Sequence, residues 1–125
     1  MSPLLFVLLS LAGGLGAATR FALDGVIRSR AGESLPWGTI LINVTGSFLL
    51  GLVTGMVGQH LLAGSAQLVL GTGFLGGYTT FSTASLETVR LLQAGRRRDG
   101  IVNALGTLVV ATTSAAIGLL LGSLL

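Results

Sequence analysis

The chain has 125 residues, of which 51% are hydrophobic and only 9% are charged, and its formal net charge is +3. So few charged residues cannot cover the surface of a soluble domain, and the composition therefore indicates an integral membrane protein. The absence of cysteine excludes a disulfide framework, a thiolate metal site and a thiol nucleophile. All seven basic residues are arginines, which fits loops that face anionic lipid and the cytoplasm better than it fits binding of nucleic acid.

Four apolar stretches are long enough to cross a bilayer, which takes about 20 residues in a helix. The predicted spans cover about residues 3–22, 37–57, 67–92 and 101–124. They are joined by a polar connection over residues 24–36 that includes Asp24 and Glu33, a short turn near residues 58–66 and a basic loop over residues 93–100. The sequence predicts one all-α membrane domain, residues 1–125, with four transmembrane helices.

The arginines are distributed very unevenly between the two ends of these spans. They lie on or next to the first and third connections, at Arg20, Arg28, Arg30, Arg90, Arg96, Arg97 and Arg98. The other side carries His60 and the two termini. Because basic loops stay in the cytoplasm, we expect these two connections inside, both termini outside and one fixed orientation in the cell inner (plasma) membrane.

The third predicted span contains a stretch that does not suit a lipid-facing helix. It reads Gly71-Thr72-Gly73-Phe74-Leu75-Gly76-Gly77-Tyr78-Thr79-Thr80-Phe81-Ser82-Thr83. Glycine weakens a helix, and hydroxyl side chains compete for backbone hydrogen bonds. Irregular backbone at membrane depth persists only where protein or water surrounds it, and channels and transporters place ion sites at such breaks. We therefore expect the third span to be interrupted within this stretch.

Polar residues recur at helical spacing on the second span and after the break. Thr39, Asn43 and Ser47 form one stripe, which fits either hydrogen bonding between helices or a polar pathway. Glu87 and Arg90 share a face beyond the break. They form either an interfacial salt bridge or part of a pathway mouth.

The fourth span carries a further polar stripe at Asn103 and Thr107 and a small-residue pair at Gly118 and Gly122. The glycines, together with Gly51 and Gly55 in the second span, favour close helix packing. Arg20, at the end of the first span, either extends to the membrane interface, binds an anion or caps a neighbouring helix.

No catalytic constellation is apparent in the sequence. The single histidine is in a short loop, the four carboxylates are scattered, and the glycine-rich run lacks the lysine of a phosphate-binding loop. We therefore expect that the chain is not an enzyme.

The glycine–hydroxyl stretch, extended through Ser85 and Glu87, resembles the signature of the Fluc fluoride channels, also called CrcB proteins. Three other pieces agree in order and spacing. They are Gly13-Gly14 followed by Arg20, Gly38-Thr39-x-x-x-Asn43-x-x-Gly46-x-Phe48-x-x-Gly51, and a small-residue fourth span. The resemblance covers nearly the whole chain.

This resemblance implies an antiparallel dimer with two narrow pores that pass fluoride without energy coupling. It also implies a break of the third helix at residues 76–79, where non-helical turns at Gly76 and Gly77 free backbone carbonyls. A central Na⁺ is then expected at this break, held by the backbone carbonyls of Gly76 and Thr79 from both subunits. The residues that match the family's pore lining are Asn43, Phe81, Ser82 and Thr83, with Thr39 and Glu87 toward a pore end and Asn103 and Thr107 on the fourth helix. Amide and hydroxyl groups can replace water around fluoride, and a phenyl ring can offer its positive edge.

One position departs from the family pattern, in which a second phenylalanine follows Phe81 by three residues. Here that position is Ala84. Together with the arginine distribution, this suggests that the chain pairs with an oppositely oriented paralogue in a heterodimer, rather than with itself. Two other functions remain as alternatives: a small four-helix multidrug exporter, which would need an acidic residue in the first span, and a structural membrane subunit.

Overall fold

The computed structural model describes residues 1–32 and 34–125, and within these ranges all regular structure is helical. The all-α prediction is therefore confirmed. Glu33, which the sequence places in the first connection, lies outside the described residues.

Five helical stretches follow one another along the chain, and two of them contain a π-helical segment. Helix α1 is Pro3–Ala31, α2 is Trp37–Gly58 and α4 is Phe81–Gln93. Helix α3 (residues 64–78) consists of Gly64–Gln67, the π-helical Leu68–Leu75 and Gly76–Tyr78. Helix α5 is Arg97–Leu124, with a π-helical segment at Val102–Gly106.

Three of these helices, α1, α2 and α5, are long and apolar enough to cross a membrane. Helix α1 begins where the Ser2 hydroxyl accepts a hydrogen bond from the Leu5 N–H at 3.1 Å, and Pro3 suits its first turn. It ends only at Gly32, whose φ of +78° favours glycine. Asp24 therefore lies on α1, and the helix continues into the polar connection that the sequence places at residues 24–36.

Glycines let α2 and α5 approach closely. A Cβ atom added at Gly51 would overlap the Ala115 carbonyl oxygen, and one added at Gly118 would overlap the Phe48 carbonyl oxygen. Gly55 and Gly122 are equally tight. The predicted packing role of these four glycines is therefore confirmed. Because glycine has no side chain, the backbones of the two helices come into direct contact at these positions.

Helix α1 packs against α3 in the same manner. A Cβ at Gly77 would overlap the Gly13 carbonyl oxygen, and a Cβ at Gly16 would overlap the Phe74 carbonyl oxygen. A small buried cluster of Ile42, Leu75 and Tyr78 lies beside this contact. The end of α3 is thus held between α1 and α2, which fixes the position of the segment that follows it.

Candidate ion pathway

The backbone leaves the helical conformation for two residues between α3 and α4. Thr79 has φ −82° and ψ 159°, and Thr80 has φ −150° and ψ 121°. The two glycines before them are helical, and Gly76 has φ −62° and ψ −39°. The expected non-helical turns at Gly76 and Gly77 are therefore wrong. Gly77 serves close packing against Gly13, and the chain becomes extended three residues after Gly76.

Asn43 on α2 binds this extended segment through both the nitrogen and the oxygen of its side-chain amide. Its Nδ2 donates to the Thr80 carbonyl oxygen, and its Oδ1 accepts from the Thr80 N–H, both at 2.8 Å. A backbone that leaves a helix in an apolar environment needs such partners, because an unpaired buried peptide group costs about 1–3 kcal/mol. Asn43 keeps one amide hydrogen for a further acceptor.

These bonds leave two carbonyl oxygens without their helical donors. In a continuous α-helix the Gly76 carbonyl would accept from the Thr80 N–H, but that N–H donates to Asn43. The Thr79 carbonyl would accept from the Thr83 N–H, which donates instead to the Thr80 hydroxyl at 3.2 Å. Oxygen atoms of this kind are the ligands that hard cations prefer.

Helix α4 starts immediately after the extended residues, with Thr80 as its N-cap. The first two side chains of α4, Phe81 and Ser82, face outward, and Phe81 is 88% exposed. The Ser82 hydroxyl is 3.4 Å from that of Thr80, and Thr83 is half-buried. Phe81 and Ser82, two of the predicted pore residues, therefore lie on the outer face of the single chain, while Thr83 is partly covered.

Thr39 and Glu87 join α2 to α4 one turn away from Asn43. The buried Thr39 hydroxyl donates to the Glu87 Oε1 at 2.6 Å. Within residues 1–32 and 34–125 the salt bridges are Arg28–Asp24 and Arg96–Asp99. The alternative that Glu87 pairs with Arg90 is therefore wrong, because the carboxylate turns inward to α2.

Asn103 and Thr107 both lie on α5, and Asn103 faces α4. Asn103 is buried, and its Nδ2 donates to the Thr88 hydroxyl at 2.8 Å. The Thr107 hydroxyl is buried and has no hydrogen-bond partner among the described residues. Asn103 therefore connects two helices, while Thr107 offers a hydroxyl that is not used within the described chain.

Arg20 reaches the end of α3. Its Nε is 3.4 Å from the Gly77 carbonyl oxygen, a long hydrogen bond. A cation at this place complements the negative end of a helix. Of the three alternatives for Arg20, the structure therefore favours capping of a neighbouring helix.

Thr80 and Thr88 were not among the predicted site residues, although both form hydrogen bonds that connect the parts of the site. Thr80 provides a hydroxyl, an N–H and a carbonyl to the segment, and Thr88 is the partner of Asn103. A signal for Thr80 was present, since a threonine before a helical start is a typical N-cap. Nothing in the sequence singles out Thr88.

The arrangement offers hydrogen-bond donors and carbonyl oxygens rather than a reactive group. Among the residues that the structure describes, no cluster of three or more His, Asp or Glu side chains can hold a metal ion. An ion site near the interruption would therefore be built from backbone oxygens, hydroxyls and amides. These groups bind ions without transferring protons or forming bonds to a substrate.

Comparisons with known proteins agree on one family. The family model described as CrcB-like protein, Camphor Resistance (CrcB), matches residues 7–119. The "Fluoride-specific ion channel FluC 1" of Leifsonia xyli subsp. xyli is 52% identical over 124 residues, covering 99% of this chain and 90% of that protein. The "Fluoride-specific ion channel FluC 2" of Cutibacterium acnes is 49% identical, and the alignment covers 90% of this chain and 93% of that protein.

A more distant relative extends the match. The "Fluoride-specific ion channel FluC" of Thermus thermophilus is 38% identical over 120 residues, and the alignment covers 96% of each chain. These relatives are described as channels and not as enzymes, in agreement with the expectation from the sequence. The family model and the relatives span nearly the whole chain, and the protein belongs to the CrcB family.

Proposed function

We propose that this protein is a fluoride-selective ion channel that lets cytoplasmic fluoride leave the cell passively across the inner membrane. The observation that carries the proposal is the 52% identity, over 99% of the chain, to a protein named as a fluoride-specific channel. The three long apolar helices support a multi-pass membrane location. The donor-rich segment between α3 and α4 supplies the chemistry that a small, strongly hydrated anion needs.

The pore-lining groups are those near the interruption. Ser82 and Thr83 provide hydroxyl donors, Asn43 provides its remaining amide hydrogen, and Phe81 provides a ring edge. The 88% exposure of Phe81 supports a position where a second subunit completes the pore.

The pathway continues past the interruption toward one pore end. Thr39 and Glu87 lie along α2 and α4, and Asn103 and Thr107 lie on α5. The buried Thr107 hydroxyl, which lacks a partner among the described residues, supports a role toward the permeating ion.

The functional unit is an antiparallel dimer, in which α3 and α4 together form the third transmembrane helix, broken at mid-membrane. Two extended residues between two shorter helices support this arrangement. The many outward-facing apolar side chains of the single chain support both lipid contact and a subunit interface.

A structural Na⁺ at the centre of the dimer would be held by the carbonyls of Gly76 and Thr79. The residues fit the ion, because Asn43 and Thr80 remove the helical donors of those two oxygens. When bound, the ion supplies a fixed positive charge beside the pores. The chain itself contributes the oxygens and the geometry that removes their helical donors.

The second subunit is either the same chain or an oppositely oriented paralogue, and two features favour the paralogue. Ala84 removes an aromatic side chain from the pore lining, and all arginines lie on one side of the predicted topology. The numbered names of two relatives support the existence of more than one such chain in some organisms.

Fluoride efflux from liposomes tests the proposed function. Purified protein is reconstituted, the potential is clamped with a potassium ionophore, and external fluoride is followed with an electrode. The chain, co-reconstituted with its paralogue if it pairs with one, releases fluoride without a proton gradient. Asn43→Asp and Phe81→Ala reduce the rate at least tenfold, since a misplaced break or lost ring edge adds over about 1.4 kcal/mol to the barrier.

Phe6→Ala is the matched control, because Phe6 is also exposed on a helix but lies far along the chain from the interruption. It should leave the efflux rate within about twofold of the wild-type rate. Efflux that needs a proton gradient would indicate a coupled exporter. Efflux that is unchanged in both site variants would contradict the assignment of the pore residues.

A further inference from the structure

The side chain of Asn103 is buried with most of its hydrogen-bonding capacity unused. Only 3% of the residue is exposed. A carboxamide has two N–H donors and an oxygen that accepts, yet within residues 1–32 and 34–125 the one hydrogen bond of this side chain runs from Nδ2 to the Thr88 hydroxyl. Asn43, by contrast, uses both ends of its amide. Because buried polar groups normally find partners, the second N–H of Asn103 calls for an acceptor that the described residues do not supply.

Close contact between α4 and α5 lets Asn103 reach Thr88. A Cβ atom added at Gly100 would lie 2.8 Å from the Leu92 side chain and 3.5 Å from the Thr88 carbonyl oxygen, so glycine leaves room for the two helices to approach. Asn103 follows three residues later, inside the π-helical segment of α5, and is buried like Gly100. The contact therefore places a buried amide directly against one hydroxyl of α4.

The Thr88 hydroxyl determines which end of the amide it holds. Its single hydrogen is donated to the Ala84 carbonyl oxygen at 2.9 Å, so its oxygen is left to accept. The Asn103 Nδ2 meets that need at 2.8 Å, whereas a reversed amide would require the hydroxyl to leave Ala84. Thr88 thereby holds the nitrogen of the amide and gives its second hydrogen a fixed direction.

The groups around this donor suit an anion. Thr107, four residues further along α5, has a buried hydroxyl that lacks a partner among the described residues, and side chains at this spacing are neighbours on a helix. The carboxylates of α4 and α5 are engaged elsewhere. Glu87 accepts from Thr39 on α2, and Asp99 pairs with Arg96 at 2.7 Å. Two neutral donors are therefore left for an acceptor between them.

We propose that Thr88 is a positioning residue for anion passage: by holding Nδ2 of Asn103, it aims the second amide hydrogen, together with the Thr107 hydroxyl, at the permeating fluoride. The proposal rests on the proposed channel function and deepens it. Thr88 acts through Asn103 and does not touch the ion itself. A donor that is already held in place needs no reorientation when the ion arrives, and this is the physical gain from the Thr88 hydroxyl.

Thr88→Val tests the proposal, because valine keeps the shape of the side chain and removes the hydroxyl. In the liposome assay it should lower the fluoride efflux rate per folded protein about fivefold, which corresponds to one net hydrogen bond. Thr88→Ser restores the hydroxyl and should return the rate to within about twofold of the wild-type rate. Thr88→Ala also removes the hydroxyl, so it provides the same measurement if the valine variant does not fold.

Two further variants complete the experiment. Thr113→Val is the matched control, because the Thr113 hydroxyl also donates to a carbonyl oxygen of its own helix but is exposed, and its rate should stay within about twofold of the wild-type rate. Asn103→Ser keeps a donor on α5, but its side chain is one bond shorter and should not reach Thr88. In the Asn103→Ser background, Thr88→Val should change the rate by less than about twofold.

The outcomes separate this inference from the proposed function. If wild-type protein conducts fluoride but Thr88→Val and Thr88→Ala keep its rate per folded protein, the hydrogen bond only joins α4 to α5 and the inference is overturned. A loss that persists in full in the Asn103→Ser background would also overturn it, because Thr88 would then act by another route. Absence of fluoride efflux from the wild-type protein, tested alone and with a paralogue, would instead contradict the channel function.

Discussion

At the scale of single residues, the side chains that hold the interruption together are polar groups with defined backbone partners. Asn43 accepts the hydrogen bond of the Thr80 N–H, which would otherwise go to the Gly76 carbonyl, and it donates a second one to the Thr80 carbonyl oxygen. Thr80 in turn caps α4 through its hydroxyl. The helix can therefore stop and restart in an apolar environment without leaving the peptide group of Thr80 unpaired.

Thr39 and Glu87 allow a prediction at the same scale. Thr39→Val removes the only hydroxyl that donates to the Glu87 carboxylate among the described residues, and it should lower the free energy of unfolding in detergent by about 1–3 kcal/mol. Glu87→Gln keeps an acceptor and should cost less. A double-mutant cycle should give a coupling of about 0.5–3 kcal/mol.

Thr113→Val provides the comparison for this cycle. Thr113 is exposed on α5, and its hydroxyl donates only to the Val109 carbonyl of its own helix. Its replacement should change the unfolding free energy by less than about 0.5 kcal/mol. A coupling near zero between Thr39 and Glu87 would show that the hydrogen bond does not stabilise the protein.

At the scale of helices, close backbone contact replaces side-chain packing. Gly13 and Gly77 let α1 lie directly on α3, and Gly51 and Gly118 do the same for α2 and α5. In a membrane the lipid is as apolar as a leucine side chain, so helices associate through tight van der Waals contact rather than through the hydrophobic effect.

The contact of α1 with α3 leads to a prediction with a built-in control. Gly77→Ala places a Cβ against the Gly13 carbonyl oxygen, and the helices must separate because backbone cannot move aside cheaply. We expect a loss of about 1–3 kcal/mol, read as a lower thermal midpoint in detergent and a smaller monodisperse fraction in gel filtration. Fluoride efflux should fall with it.

Gly14→Ala introduces the same methyl group one residue away from Gly13. Apart from the neighbouring backbone of its own helix, no atom lies within 4 Å of the new Cβ, and alanine is the better helix former. The thermal midpoint should therefore stay the same or rise slightly. Equal thermal midpoints for Gly77→Ala and Gly14→Ala would show that the α1–α3 contact is looser than the structure has it.

At the scale of the whole molecule, the arginine distribution predicts a single orientation in the membrane. The chain has no native cysteine, so single cysteines can report the side of each connection. Ser65→Cys, in the turn region, should react with a membrane-impermeant maleimide added to intact cells. Arg97→Cys, in the basic loop, should react only after the membrane is opened.

Labelling of both positions in intact cells would show that the chain inserts in both orientations and would favour the homodimer. Ser10→Cys, within α1, should be labelled neither in intact cells nor after the membrane is opened if lipid or protein covers it. Protection of Arg97→Cys would support a fixed orientation and hence a partner of opposite orientation. The result decides between the two dimers that remain open.

The sequence by itself determined the membrane class, the helical content and the stretch in which the chain leaves the helical conformation. Apolar runs, arginine-rich connections and a glycine–hydroxyl stretch are local properties, and each follows from composition over a few residues. The glycine pairs of α2 and α5 were also predicted correctly, because small residues at a spacing of four lie on one helix face and permit close approach.

Only the tertiary structure decided which backbone leaves the helix and which partners hold it. Gly76 and Gly77 stay helical, with α1 packed directly against Gly77, and Thr80 can be extended because Asn43 from another helix satisfies its N–H. The partner of Glu87 was likewise decided by α2 and not by its neighbour Arg90. Hydrogen bonds between residues 37 or more positions apart depend on how the helices pack, and a local sequence pattern contains no such information.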